Sequence, residues 1–524
     1  MHPAGLSVFV RDVLTTGPFW HIVVLVIILL LLCEYAVHRW TTKRDDMPSS
    51  LNSLSISNIV PFVRNRYDFL NWGFQSTGET VFQFRLLTKP VVAVSGESGR
   101  STFLAAKGFD IHPGFKDLLG GIPMVRGVTS DLHGKTIAHI YRRLAMVQTQ
   151  ASLSNLIPQL LADSCSAIDA WGKRGRLDPF PSIYDLIFQL TVRSLTGAEI
   201  ADDPAIVQRL KHLYDEIDEG NTPSAILLPW WPGRGMIRKL LATKRIYDIV
   251  TQAIETRLKS GKPRDDTLQM LLESGDDNMV VVGFMMGLII AGARSTGTTA
   301  SWLLTYLGAH PEWKAKAHAE IESLVFTHSL APYKAGAPLS DLSAALAQIP
   351  LNVWEGSTPV LDALIHETTR LAQPHTAIRK NMGPDVHIDG KLVPSGHYVV
   401  YPFSDVHLNE ELYPDPWRFD PSRPLPDARY SYVGWGGGMT YETPSRESLT
   451  NALVNSAGKI TCLGQRLAKV EMKLLSAIFL LGIDFSVVDK GGKHLETVPR
   501  PNWNDILGCK PPKDSCFIQY EVNY

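Results

Sequence analysis

One cysteine stands where its ionisation could be controlled. In "KITCLGQRLAKVEMKLL", Cys462 comes just before a stretch that reads as a helix starting at Leu463. A sulfur there lies beside free N–H groups and the positive end of the helix dipole, and both favour a thiolate. Gly458 and Gly464 flank it, and Lys459 and Arg466 add positive charge. The alternative reading is an inert buried thiol. The other cysteines, Cys33, Cys165, Cys509 and Cys516, form no CxxC pair and no zinc-finger spacing. The odd count argues against a disulfide scaffold and fits a reducing compartment.

A second group lies in "DDNMVVVGFMMGLIIAGARSTGTTASWLLTYLGAHPEW", which reads as one helix from about 278 to 310, with Pro311 opening the next. It is apolar nearly all round in its first half, so it is expected to be buried. Yet it carries Gly283, Gly287, Gly292 and Gly297, each costing about 1 kcal/mol against alanine. Gly283, Gly287, Ala291 and Ser295 step by four and form a bare stripe on which something bulky could lie. Close packing of another helix is the competing reading. Arg294, Ser295, Thr296, Thr298 and Thr299 place polar groups mid-helix, and buried polar groups need partners. Further on, Glu367 and Arg370 are spaced i, i+3 and can pair on a helix, as many solvated faces do. A proline-rich meander, "PDPWRFDPSRP", then supplies Arg423.

The elements that must position these residues come from a chain of 524 residues, 45% hydrophobic, with a formal net charge of -1. Such a chain can bury a large core, and its charge gives no long-range pull toward nucleic acid. Residues 19–40 form an apolar run with Trp20 and Trp40 at its ends and Arg39, Lys43 and Arg44 at or just beyond the far end. Roughly 20 apolar residues span a bilayer. The basic residues place the C-terminal part of the chain in the cytosol. A cleaved signal peptide is the alternative, disfavoured by the length of the run and by basic charge on the far side. Residues 1–18 are then a short lumenal segment, 19–40 the single transmembrane anchor, and 41–524 one catalytic unit. Within it helical periods dominate. "VFQFRLLTKPVVAVSG" reads as two strands, "DVHIDGKLVPSGHYVVYP" as a hairpin turning at Asp389-Gly390, and the C-terminus as loop then strand. The class is mainly α with small β-sheets.

In that order, the features resemble a membrane-anchored cytochrome P450, a heme-thiolate enzyme, over nearly all of the chain after the anchor. "CLGQRLAKVEMKLL" matches the axial cysteine and its helix. "AGARSTGTTASW" matches the helix crossing the oxygen-binding face. Glu367 and Arg370 match the Glu-x-x-Arg pair, with Arg423 as the third member of a structural triad. The resemblance implies heme b with Cys462 as the iron ligand, whose thiolate favours O–O cleavage. It implies Trp435, Gly438 and Gly464 in the cysteine loop, and His139, Arg143 (with Arg142 as a competitor) and Arg379 at the heme propionates, with surface or core-edge charge as the plainer reading of these contacts. It implies Ser295 and Thr296 at the catalytic position, and Met286, Ile289, Ile290 and Ala293 above the heme. The implied reaction is hydroxylation or oxidation of a lipophilic small molecule: a secondary metabolite, terpenoid or sterol-like compound. Electrons would come from NADPH through a reductase, with cytochrome b5 as a second donor, at the endoplasmic reticulum membrane. Arg466, Lys469 and Lys473 would face the reductase together with Lys459, or form an ordinary solvated face.

Two departures stand out. The family usually has an acid before the hydroxyl on the oxygen-side helix, and here the residue is Arg294, which cannot relay protons as an acid. A subgroup resembling sterol demethylases, bile-acid hydroxylases and prostacyclin synthase also lacks that acid. Isomerase chemistry on a peroxide, without O2 or reductase, is therefore the alternative activity. The second departure is "MTYETPSRESLTNALVNSAG", residues 439–458, inside the cysteine loop. Without it the chain reads "WGGG" joined to "KITCLG", which puts Trp435, Gly436 and Gly438 where the family loop has them but leaves Ile460 where the family usually has a propionate-binding Arg or His. The residues permit a retained intron: Gly438-Met439 can contain a GTATG donor, Thr450-Asn451 a CTAAC branch and Ala457-Gly458 a CAG acceptor. A genuine surface insertion is the competing reading, since loops lengthen at little entropic cost. With it, a heme-free inactive chain is a third possibility.

Overall fold

A computed structural model describes residues 45–51, 53–120, 134–330, 336–436 and 461–523. The anchor at 19–40, the segment before it, Gly438, Lys459, Ile460 and the insertion at 439–458 lie outside the described residues.

Seven helices bear on the site and are numbered in chain order. They are α1 (Gly134–Val147), α2 (Pro179–Leu195), α3 (Pro204–Glu219), α4 (Arg234–Ser260), α5 (Asn278–Ala309), α6 (Pro359–Leu371) and α7 (Gln465–Gly482). The bounds of α5 follow from local chemistry. The Asp277 side chain accepts the Val280 N–H at 2.8 Å at one end, and Pro311 opens the next helix at the other. Its length and hydropathy would allow it to cross a membrane, but it is the central core helix, packed along α2 and touching α4, α6 and α7.

The glycines of α5 have two fates. At Gly297 an added Cβ would lie 2.7 Å from the Tyr184 ring, so glycine there permits close approach of α2. At Gly287 an added Cβ would meet nothing within 4 Å. Gly287, Ile290, Ala291, Arg294 and Ser295 form one incompletely buried row at helical spacing along a helix otherwise packed on most sides, whereas Gly283 is buried. Close helix packing accounts for Gly297, while Gly287 leaves open space beside the helix.

The β structure is small. A six-stranded sheet runs in the order Ser49–Ser50, Val81–Leu86, Lys89–Val94, Tyr398–Pro402, Thr376–Asn381, Phe109–Asp110. The two strands expected in "VFQFRLLTKPVVAVSG" pair antiparallel within it, Val81 opposite Val94. Val386–Ile388 and Lys391–Val393 form the expected hairpin. Asp389 and Gly390 both take positive φ, 49° and 74°, as a tight two-residue turn requires. The C-terminal strand Phe517–Val522 joins Ile483–Val488 and Arg174–Leu177 in a third sheet.

Candidate active site

The cysteine loop closes on itself. The Cys462 N–H donates to the Trp435 carbonyl at 2.7 Å, and Gly436 pairs with Thr461 in an antiparallel bridge. Trp435 is half-buried and packs against the main core. The helix begins at Gln465, two residues later than expected, with Gly464 as its cap. That delay turns the Gly464 and Gln465 N–H groups toward the Cys462 sulfur, the Gln465 N–H also donating to the Cys462 carbonyl at 3.3 Å. Neighbouring protein raises the thiol's pKa by desolvation, while the two N–H groups pull it down. The side chain is nonetheless exposed, unlike Cys165, Cys509 and Cys516, which are buried. An added Cβ at Gly464 would meet nothing within 4 Å. An accessible sulfur with two N–H donors, bare glycines at 464 and 287, and exposed Ala291 and Ser295 suit a flat, largely apolar group carrying a metal that takes one thiolate.

Gln148 holds this loop and was not singled out from sequence. Its side chain donates to the Leu463 carbonyl at 2.7 Å and accepts the Leu467 N–H at 3.2 Å. Arg466 reaches the Gln148 carbonyl and forms a two-pronged pair with Glu355, at 2.5 and 2.9 Å. Lys469 and Lys473 both bind Asp362, at 3.1 and 2.8 Å. Lys473 is buried and also donates to the Trp354 carbonyl. The sequence placed it on an open basic face; α7 is instead buried on most sides there, and the ammonium is held by internal acceptors.

Glu367, Arg370 and Arg423 come together. Arg370 grips Glu367 with two bonds of 2.7 Å and donates to the His407 carbonyl at 2.7 Å, with both side chains fully enclosed. Arg423 brings its Nε to 3.4 Å from Glu367 and donates to the carbonyls of Pro414, Asp415 and Arg418. The Asp420 N–H adds a further bond to Glu367, so the meander is fastened to α6.

Ser295 and Thr296 separate. Ser295 is exposed on the open row, its hydroxyl donating to the Ala291 carbonyl at 3.0 Å, while Thr296 is buried. Met286 is fully buried in the core, and Ile289 and Ala293 are buried beside α2 and α3; of these four only Ile290 belongs to the open row. Of the sequence stripe, Gly287, Ala291 and Ser295 lie on the open row and Gly283 is buried. His139 and Arg143 on α1 both engage Asp276, at 2.6 and 2.7 Å. Burial raises that carboxyl, but the bonds from Arg143 and His139 outweigh it and hold it below its ordinary value. Arg379 is buried, donates to the Phe103 carbonyl at 2.8 Å and lies over the Phe103 ring. Burial pushes its pKa down to about 10. Arg294 turns to α3, binding Asp218 and Asp215.

Glu471 on α7 was also unmarked in sequence. It is fully enclosed, 3.2 Å from the Ser194 hydroxyl of α2, and burial pushes its carboxyl up to about 8.

Residues 48–514 match the sequence pattern of the family described as Cytochrome P450. The chain is 30% identical over 462 residues to cytochrome P450 monooxygenase AacuE of Aspergillus aculeatus, covering 83% of this chain and 86% of that protein. It is 26% identical to cytochrome P450 monooxygenase dmxR5 of a Cryptosporiopsis species, covering 82% and 81%. It is 24% identical to lanosterol 14-alpha demethylase of Bos taurus, covering 83% and 81%. The solved structure of a retinoic acid-bound cyanobacterial CYP120A1 superposes with a TM-score of 0.66 at 20% identity, over 91% of this chain and 99% of that one.

Proposed function

Since this chain belongs to the cytochrome P450 family of heme-thiolate oxidoreductases, we propose that Cys462 supplies the axial thiolate and that the substrate is a lipophilic small molecule of terpenoid, sterol-like or related secondary-metabolite type. The accessible Cys462 sulfur, with the Gly464 and Gln465 N–H groups directed at it, carries this reading. Heme b, when bound, supplies the activation of O2 for monooxygenation.

The chain's own residues supply the rest. The two N–H groups stabilise negative charge on the sulfur, and Gln148 and Arg466 keep the loop from turning away. The open row of α5 offers Gly287, Ile290 and Ala291 as an apolar wall for substrate, with the Ser295 hydroxyl beside it to orient water or hold a proton. Arg379, His139 and Arg143 are the cations we assign to the carboxylates of the cofactor, with Asp276 sharing the latter two. Electrons come from an NADPH-dependent reductase or cytochrome b5, and residues 19–40 anchor the chain in the endoplasmic reticulum membrane with the catalytic unit in the cytosol. We further assign residues 439–458 to a retained intron, on the ground that Gly436 and Thr461 already pair with each other.

A carbon monoxide difference spectrum of the reduced full-length protein tests the assignment. A thiolate–iron carbonyl band in the wild type that is lost in C462A, at unchanged helical content, is expected. Heme binding that survives C462A with the band intact would reject Cys462. Turnover that requires NADPH and reductase supports monooxygenation. The position of Arg294 favours a second reading, rearrangement of a peroxide substrate, which would proceed without either.

A further inference from the structure

The first arm of the cysteine loop is held by a residue outside the loop. The Val433 N–H donates to the Nε2 of His407 at 3.1 Å, and both residues are fully buried. The Val433 carbonyl in turn accepts the Gly436 N–H at 2.8 Å. That closes a turn which presents the Trp435 carbonyl to the Cys462 N–H. His407 ends the short helix Ser404–His407, which the chain reaches well before the loop begins.

The same arm lies tightly on α6. Tyr432 stacks on the His366 ring, with centroids 3.8 Å apart. At Gly434 an added Cβ would strike the Tyr432 phenol and come within 2.8 Å of the Thr369 methyl, so the arm has room only for glycine. His407 is itself anchored to α6, its carbonyl accepting from Arg370 at 2.7 Å. The Glu367–Arg370 pair therefore ends on the residue that holds Val433.

The imidazole has one hydrogen-bonding state here. Accepting from a backbone N–H leaves Nε2 without a proton, so the ring proton sits on Nδ1. Burial holds the ring neutral, with Arg370, His366 and Arg100 adding to the effect. Nδ1 finds no hydrogen-bond partner among the described residues. A side chain kept only for packing would avoid that cost by being apolar, as the neighbouring Phe403 is. The bond to Val433 is what an imidazole provides and a phenyl ring of similar size does not.

We propose that His407 is a positioning residue for the thiolate, its Nε2 fixing the backbone of Cys462 through Val433 and the Trp435 carbonyl. This rests on the reading of Cys462 as the axial ligand. With Val433 held, the sulfur stays turned toward the Gly464 and Gln465 N–H groups that stabilise its negative charge. Without the acceptor on His407 the arm slackens and the Trp435 carbonyl holds Cys462 less firmly. The sulfur then loses its alignment with those two donors and takes up a proton more readily.

The test uses the full-length, heme-loaded protein, reduced and under carbon monoxide. A thiolate opposite carbon monoxide gives the red-shifted carbonyl band, and a neutral or displaced thiol gives one at shorter wavelength. H407F keeps a flat ring and removes the acceptor, and it is expected to raise the short-wavelength share several-fold at unchanged helical content. H407Q, whose side-chain oxygen can reach the place of Nε2, should restore the wild-type share. H407N carries its oxygen at the place of Nδ1 and should not, so the glutamine and asparagine variants decide the matter if H407F does not fold. Amide hydrogen exchange read by mass spectrometry is a measure independent of the heme: peptides covering 432–436 and 461–465 should exchange faster in H407F and H407N but not in H407Q. An unchanged band share in folded H407F, or equal losses in H407Q and H407N, overturns the positioning role. A wild type without the thiolate band instead overturns Cys462 as the ligand, and the exchange of 432–436 still decides whether His407 holds the arm.

Discussion

The backbone N–H of Cys462 donates to the carbonyl of Trp435 at 2.7 Å, although a long stretch of chain separates them. One step further out, Gly436 and Thr461 pair as neighbours in an antiparallel bridge. The two arms of the cysteine loop are therefore set against each other whatever lies between them. Without residues 439–458, only Gly437, Gly438, Lys459 and Ile460 would remain to connect the bridge, a length typical of hairpins.

Deleting 439–458 should accordingly leave the fold intact and raise stability by about 1.5 kcal/mol through the shorter loop closure. The thiolate–iron carbonyl band per mole of protein should rise. Chemical denaturation and the carbon monoxide spectrum of both forms decide the matter. A deletion variant that loses heme would show that the segment is native to the loop.

Arg370 is the most costly side chain to truncate. Arg370→Ala leaves Glu367 charged and enclosed, and breaking a buried pair on one side costs about 3–5 kcal/mol. Arg370→Lys should recover less than half of that, because an ammonium cannot reproduce the two parallel bonds to Glu367 or reach His407 as well. Urea midpoints of the three proteins measure this. A loss below about 1 kcal/mol for the alanine variant would contradict the geometry.

Two glycines of one helix should behave oppositely. Gly297→Ala puts a methyl 2.7 Å from the Tyr184 ring and should cost about 1–3 kcal/mol by overpacking. Gly287→Ala meets open space and should gain up to about 1 kcal/mol from helix propensity while altering substrate-induced spectral shifts. Equal effects on melting temperature would refute the assignment of one glycine to packing and the other to the open row.

Glu471 makes stability depend on pH. Its carboxyl titrates near 8 in the folded chain, and near the ordinary value of about 4.3 once unfolded. Below the lower value both states hold the proton and stability is full. Between the two, only the folded state keeps it, so stability falls as pH rises, by up to about 1.4 kcal/mol per pH unit, and is lost through about 8. Glu471→Gln cannot ionise and should remove this slope. Melting curves of wild type and variant across that pH range should diverge, the wild type falling behind at high pH; parallel curves would mean the carboxyl is ionised when folded.

Much of the site was legible because it is written in local spacing. The i, i+3 step of Glu367 and Arg370, the extent of α5, the Asp389-Gly390 turn and the cysteine before a helix each depend on residues within a few turns of one another. Backbone geometry alone brings such residues together. The partners that decide what each charge does are distant in the chain. Asp276 for His139 and Arg143, Asp218 for Arg294, Asp362 for Lys473 and Gln148 for the cysteine loop are set by which helices pack. The same packing chose Ser295 over Thr296 for the open row and enclosed Glu471 beside Ser194. The sequence by itself determined which residues carry charge, the extent of α5, and that Cys462 lies just before a helix. Only the tertiary structure decided which of those charges are neutralised and which helix face stays open, because burial and ion pairing are properties of surfaces that meet after the chain has folded.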